Sequence, residues 1–564
     1  MDMPKVISLP GQGQPVFSSQ SRRRIFSQPS GVFLAIALLF AFFLAIPMLE
    51  IVRYAFSDGN GFSLKAVQTV LIRKNFFQGM ENSLRISAGS AAISTILAFL
   101  LAYGCHFTTL PRSLKKAVSF IAVLPMLLPT ITYGFALIYS FGRQGLLTRL
   151  AGRQFFDAYG TNGMVLGFVI YTLPAAFLLL DSTMYYIDQK YFVISRLMGD
   201  SSLRRFLNTV LIPLLGTAAT AFIQGFTLSF TDYGIPASIA GNTPLAATLL
   251  YDEMMGSLPN FATGSVIALA MLVPSVVNIL LIRYLGRFNI RYTTVSPEQV
   301  EPDRLRDFLV GGLSLLVLGG ILAVFAVIFV VPVVSEWPYD LRLTTGHFLK
   351  VFTDGALSQI VVNSLGVSLL TAFFGTLLVY GAALLSGRDT GSAGQSWFVD
   401  TMALLVNTIP GMVLGVAYLL AFRGTDLQNT FLLLILCNIV HLFPAPYLLM
   451  KNALEKMNGD WEKTAALMGD SWFQTVCRII TPNALLPLLE TFSYYFINAM
   501  VTVSAVVFIA GARTMVMTVK IKELQHFANF NEIFVLSILI FGFNLLLKGL
   551  IYWLEKWKLA RQAD

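Results

Sequence analysis

The sequence predicts an all-α integral membrane protein with about 12 transmembrane helices, arranged as two parallel six-helix repeats. Three observations predict it. Of 564 residues, 56% are hydrophobic and 12% charged, where soluble domains carry about 25% charged residues, and mean hydropathy is +0.71. Apolar runs near the ~20 residues that cross a bilayer recur along the chain. Short motifs then repeat in the same order at a nearly constant offset. This composition excludes an ordinary soluble enzyme, a disordered chain and a nucleic-acid binder.

The first 29 residues are polar and carry Arg22-Arg23-Arg24. The apolar run after them is nearly membrane-spanning and leads into Ile46-Pro47-Met48-Leu49-Glu50, with no small-x-small cleavage pattern. It reads as a first spanning helix, with the triple arginine as an orientation signal or a contact to anionic lipid. Candidate spans follow at about 31–52, 83–105, 117–141, 162–186, 209–231, 262–286, 308–334, 359–385, 397–421, 429–450, 483–509 and 532–554. Their even number puts both termini on one side.

Loop charge chooses that side. The formal charge is +9, from 39 Lys+Arg against 30 Asp+Glu. Arg112, Lys115 and Lys116 fall on the side of the termini. So do Lys190, Arg196, Arg204, Arg205, Arg283, Arg287, Arg291, Arg304, Arg306, Lys556, Lys558 and Arg561. Basic loops mark the cytoplasm, so both termini are expected there. Arg53, Lys65, Arg73, Lys74, Arg143, Arg149 and Arg153 run against the trend. Cys105, Cys437 and Cys477 lie far apart, and His106, His347, His441 and His526 are scattered, so no disulfide framework or metal site is predicted.

The repeat is explicit. Asn82-Ser83-Leu84 returns as Asn363-Ser364-Leu365, and Pro129 with Gly134 returns as Pro410 with Gly415, both at an offset of 281. Leu197-Met198-Gly199-Asp200-Ser201 returns as Leu467-Met468-Gly469-Asp470-Ser471, at 270. The drop of 11 fits a longer loop near 143–161 in the first copy. The expected parts are a tail 1–29, a first copy 30–286, a linker 287–307, a second copy 308–555 and a tail 556–564. An even number of spans per copy gives both the same orientation, related by an axis along the membrane normal.

Between the fourth and fifth span of each copy lies an amphipathic stretch, a Gly, a second short helix and a Pro. Gly allows the bend that a Cβ would block. In copy two, Glu462-Lys463-Thr464-Ala465 leads to Gly469, and Pro482 follows 13 residues later. This resembles the EAA loop of binding-protein-dependent ABC importer permeases, with the Glu-Ala-Ala reduced to Lys463-Thr464-Ala465. Copy one is the poorer match: Val193-Ile194-Ser195 precedes Gly199, and Pro213 comes 14 after it. The resemblance covers roughly 80–560. It extends to Leu124-Pro125, Ile409-Pro410-Gly411, Asp232-Tyr233-Gly234-Ile235-Pro236 and the segment Asn498 to Val506, which is similar to fused permeases of the ferric-iron, thiamine and aminoethylphosphonate importers.

The resemblance implies the type I importer permease fold and a bacterial inner membrane. It also implies two cytoplasmic ATPase subunits, an extracytoplasmic solute-binding protein, and coupling contacts at Ser195, Gly199, Asp200, Glu462, Ala465, Gly469 and Asp470. The chain has no Gly-x-x-x-x-Gly-Lys-Ser/Thr loop, so no cofactor is expected on it, and ATP and Mg belong to the partner ATPase. Ferric iron leads as the implied solute, followed by aminoethylphosphonate and thiamine.

Pathway or gate candidates are Pro129, Pro410, Asp232, Tyr233, Glu490, Asn498 and Thr502. Each has a plainer reading. The prolines break helices where neighbours satisfy the backbone. Asp232 and Tyr233 fit a solvated turn, Glu490 fits a partnered buried carboxylate, and Asn498 and Thr502 fit polar contacts between helices. An ion-coupled secondary transporter would need carboxylates within several spans, and would leave the paired Gly loops unexplained. A membrane enzyme would need a convergent catalytic cluster, which four scattered His do not supply.

Overall fold

The computed structural model describes residues 30–57, 61–187, 190–285, 302–388 and 392–563. Arg22 to Arg24 and the linker to residue 301, with Arg287 and Arg291, lie outside the described residues. Among the described residues, eight helices are long and apolar enough to cross a membrane. Four bent pairs raise the number to 12 if each pair is one span.

Copy one comprises α1 (Gly31–Ala55), α2 (Lys74–His106), α3 (Arg112–Ile121), α4 (Thr130–Phe141), α5 (Gly160–Tyr185), α6 (Lys190–Leu197), α7 (Ser202–Thr231), α8 (Gly234–Ile239), α9 (Ala246–Met255) and α10 (Phe261–Leu285). Copy two follows with α11 (Arg304–Val330), the hairpin β1 (Val334–Glu336) and β2 (Asp340–Leu343), α12 (Gly355–Gly387), α13 (Ala393–Thr408) and α14 (Gly411–Ala421). It ends with α15 (Phe431–Leu442), α16 (Pro444–Glu455), α17 (Asp460–Leu467), α18 (Trp472–Asn483), α19 (Leu485–Val501), α20 (Met517–His526) and α21 (Phe530–Ala563). α11 begins at Arg304, inside the stretch expected to be linker.

Proline explains the bends, and the bends correct four of the expected spans. The segment 117–141 turns by 109° between Leu127 and Thr130, and 397–421 turns by 101° between Thr408 and Gly411. Pro129 and Pro410 stand at these corners. A proline pushes the residue before it into extended backbone, and Leu128 (φ −118°, ψ 147°) and Ile409 (φ −94°, ψ 115°) are extended. The expected span 429–450 is α15 and α16, bent by 57° at Pro444, with Pro446 close behind. α5 carries Pro174 alone at the matching place and stays one helix.

The span expected at 483–509 is also corrected. It begins as α18, turns by 77° into α19, and ends as helix at Val501. Pro487 sits just inside α19, where it cannot donate to the Asn483 carbonyl and its ring crowds that group. α7 has no such second proline and runs unbroken over 30 residues. In both copies a π turn precedes the proline, Leu207–Leu211 before Pro213 and Val476–Ile480 before Pro482. The wider turn absorbs the missing donor.

The copies interlock by exchanging their first helices. α1 lies against α12 and α14 of copy two, and α11 lies against α2 and α4 of copy one. Tyr418 Oη donates to Phe43 O at 2.6 Å, and Phe40 meets Phe443 edge-on at 5.0 Å. On the other side Tyr133 packs near Phe325 at 6.2 Å. Each copy therefore depends on the other to bury its apolar faces.

The repeated motifs have structural explanations. Ser83 Oγ accepts from Ala246 N (2.9 Å), the first residue of α9; Ser364 Oγ accepts from Met517 N (2.7 Å), the first residue of α20. Asn82 and Asn363 donate nearby to Pro244 O (3.0 Å) and Met515 O (3.1 Å). A helix start has N–H groups without internal partners, and a long span supplies the acceptor in both copies. Gly134 and Gly415 mark close approaches: a Cβ would fall 1.8 Å from Ser238 Oγ or 2.4 Å from Ala505 O. Ser83→Ala and Ser364→Ala should each cost about 1 kcal/mol. The double variant should show the sum, because the sites share no partner. Thermal unfolding of the purified protein in detergent checks both; a double variant no worse than either single one would refute the independent caps.

Candidate functional site: paired loops and the passage between copies

The two loops fold alike. α6 and α17 each end in a glycine in left-handed backbone, Gly199 at φ +80° and Gly469 at φ +87°. Asp200 N donates to Ser195 O (3.1 Å) and Gly199 N to Arg196 O (2.9 Å). Asp470 N donates to Ala465 O (3.0 Å) and Gly469 N to Ala466 O (3.1 Å). These pairs of bonds form the Schellman helix stop, which requires the left-handed residue and so selects glycine. Ser471 then opens α18 with a capping box: its N–H donates to Gln474 Oε1 at 2.8 Å and its Oγ accepts from Gln474 N at 3.4 Å.

What the loops expose differs from the expectation. Ser195 and Ala465 are buried, and Ser195 Oγ donates to Asp200 Oδ2 at 2.7 Å. Glu462 is only 14% exposed and pairs with Arg388, itself 4% exposed at the end of α12. These three residues brace the loops from inside instead of offering a contact surface. Asp200 and Asp470 are partly exposed beside Arg204 (3.8 Å) and Arg478 (3.5 Å). The surface is apolar: Leu197 is 82% exposed, Met198 78%, Leu467 89% and Met468 80%. Paired leucines and methionines stand free at the tips of short helices, and an exposed apolar patch of this kind is the common mark of an interaction site. The repeat already contained them, but sequence gave no sign of which face was free.

Arg388 also escaped sequence reasoning. Its Nη1 donates to Leu454 O (3.0 Å) and Met457 O (2.8 Å), and its Nη2 donates to Asn458 O (2.9 Å). It ties the end of α12 to the chain entering α17. Its only sequence sign is an arginine directly after a long apolar run. Phe107, buried after α2, holds the equivalent place in copy one.

Between the copies runs a polar seam. Thr132 Oγ1 and Ser537 Oγ share a hydrogen bond of 2.8 Å, and Gln525 Nε2 donates to Ala237 O at 2.9 Å. Asp232 and Thr502 occupy equivalent places, ending α7 and α19. Asp232 is buried, not solvated, and its Oδ2 accepts from Ile235 N at 2.9 Å, fixing the start of α8. Thr502 Oγ1 donates to Asn498 O (2.6 Å) and Asn498 Nδ2 to Tyr494 O (2.8 Å), so both are satisfied within their own helix. Glu490 lies on a face of α19 that its protein neighbours leave uncovered.

Tyr233 is buried, and its ring stacks on Tyr251 of α9 at 4.7 Å. The Lys522 ammonium of α20 lies 5.9 Å from the Tyr233 ring and 6.0 Å from Tyr251. Burial lowers the Lys522 pKa, and the Asp252 carboxylate pulls it back up. Burial raises Asp252, Lys522 lowers it and Glu253 raises it further. Among the described residues no cluster of His, Cys, Asp or Glu could hold a metal ion.

A duplicated bundle of long apolar helices, with a matching helix-stop loop in each half and a polar seam between them, fits a membrane permease. The chain belongs to the family described as binding-protein-dependent transport system inner membrane component, which matches it twice, over residues 94–291 and 380–559. It is similar to FbpB 1 of Haemophilus influenzae (27% identical, covering 87% of this chain and 79% of that one). It is also similar to the ferric transport system permease protein FbpB of Actinobacillus pleuropneumoniae (26%; 86% and 72%). The thiamine transport system permease protein ThiP of Escherichia coli is 25% identical over 60% of this chain and 62% of its own length.

Proposed function

We propose that this permease carries ferric iron, delivered by an extracytoplasmic binding protein, into a bacterial cytoplasm. The observation that carries the substrate is coverage: ferric-transport relatives match across both copies, whereas the thiamine relative matches 60% of the chain. The basic loop end is the cytoplasmic end, with both termini there. One ATPase subunit docks on each apolar tip, Leu197-Met198 and Leu467-Met468. ATP and Mg are bound by those subunits. When the ATPase pair closes, the two levers move together and the copies part at the opposite end.

Uptake of labelled ferric iron, in cells with and without this gene but with the ATPase and binding protein present, tests the reading. Loss of ATP-dependent iron uptake on deletion is expected. Unchanged iron uptake, with labelled thiamine or aminoethylphosphonate uptake lost instead, would replace ferric iron as the solute.

A further inference from the structure

The offset that carries Ala246 to Met517, the two residues capped in trans, carries Tyr251 to Lys522. Residues at equivalent positions of a two-fold arrangement touch only where the axis passes between them. Lys522 over the Tyr251 ring therefore marks the axis between the copies, where a passing solute must travel.

The groups facing Lys522 share one character. Two tyrosine rings turn faces toward it, and ring faces are electron-rich. Asp252 follows Tyr251 on α9, beyond ion-pair distance of Lys522, and its carboxylate favours the ammonium through space. Gln525 Oε1 accepts from Lys522 Nζ at 3.1 Å, and its amide nitrogen is committed to Ala237 O at 2.9 Å, so it presents oxygen. Neighbouring charges are matched locally: Glu253 with Arg73, and Glu523 with Lys520 at 2.8 Å. An anion placed here would find one cationic donor, Lys522 itself. A cation would find two ring faces, a carboxylate and an amide oxygen.

We propose that Tyr233, Tyr251, Asp252 and Gln525 form a cation site on the passage, occupied by the Lys522 ammonium while the copies are shut and surrendered to a cationic solute when they part. The lysine is a tethered stand-in that latches copy two onto copy one. This rests on the importer reading and deepens it: the solute crosses as a cation. Ferric iron, the thiazolium of thiamine and the ammonium end of aminoethylphosphonate all qualify, whereas a solute with no cationic group does not.

The test uses the full transporter, permease with its ATPase pair and binding protein, in proteoliposomes. Lys522→Gln should raise ATP hydrolysis without binding protein several-fold and keep uptake. Asp252→Asn should cut iron delivered per ATP about threefold, the scale of a charge pair at an exposed site. The reverse pattern, uptake lost in Lys522→Gln and kept in Asp252→Asn, would overturn the proposal in favour of an anion site. A second arm needs no substrate. Lys522→Cys, in a chain with Cys105, Cys437 and Cys477 replaced by serine, is treated with ethylammonium or sulfonatoethyl methanethiosulfonate. The ammonium adduct should restore low hydrolysis and form faster, relative to a free thiol; faster sulfonate labelling, or restoration by the sulfonate, would overturn the site. Wild-type transporter that fails to carry iron would remove the ferric reading alone, because the thiol arm still decides the cation site.

Discussion

Serine at both Leu467 and Met468 is expected to abolish ATPase association at copy two and with it iron uptake. Both side chains stand almost free of the fold, so the substitution removes little from the permease itself. Docked in a partner groove, each would be worth about 1.5–3 kcal/mol of apolar burial. Losing both removes about 3–6 kcal/mol, or roughly 10²–10⁴ in affinity. The same change at Leu197 and Met198 should act on the other ATPase subunit, and either pair suffices to stop transport if both levers must move. Co-purification of the ATPase from detergent-solubilised membranes measures the first effect and ATP-dependent uptake the second. Full association by a variant with all four residues changed would place the docking surface elsewhere.

Much of this architecture was readable from residue order alone. Apolar run length located nearly every span, because a bilayer imposes one length on all of them. The repeated Asn-Ser, Pro–Gly and Leu-Met-Gly-Asp-Ser motifs pointed to geometry fixed by backbone: a cap given to another helix, a close approach, a left-handed stop. Such demands leave few residue choices, so two diverged copies keep them. The bends were harder to place. Pro174 and Pro444 are equivalent, yet only the second breaks its helix, because Pro446 adds a second missing donor. Exposure was the least legible property. Glu462 looks like a contact and is buried by Arg388, 74 residues away, while Glu490, in an apolar run, lies on a face that its protein neighbours leave uncovered. Lys522 belongs to no apolar run and matches a tyrosine in the other copy. Its role arises only where the copies meet, a pairing that local periodicity does not encode.

Arg388→Ala should be the most damaging single change at copy two's lever. Glu462, 14% exposed beside Arg388, would lose its guanidinium, and the Met457 and Asn458 carbonyls would lose the Arg388 donor, while Leu454 O would keep the Met457 N–H at 3.1 Å. Removing one partner of a buried ion pair costs about 3–5 kcal/mol. Arg388→Lys should rescue little, because an ammonium cannot match a planar fork that reaches a carboxylate and three carbonyls together. Arg388→Ala combined with Glu462→Gln should recover part of the loss, since no buried charge is then stranded. The damage should be local: α17 would swing on a loosened connection while the bundle keeps its packing. ATP hydrolysis should therefore persist as iron delivered per ATP falls, which separates a slack lever from an undocked one. Measuring both quantities in proteoliposomes decides it. Proportional loss of hydrolysis and uptake would mean that Arg388 supports docking instead of transmission. Copy one has Phe107 in that place and ties the end of α2 to α5 through His106 and Asp181 at 2.8 Å, so the two halves are joined to their loops by unlike contacts.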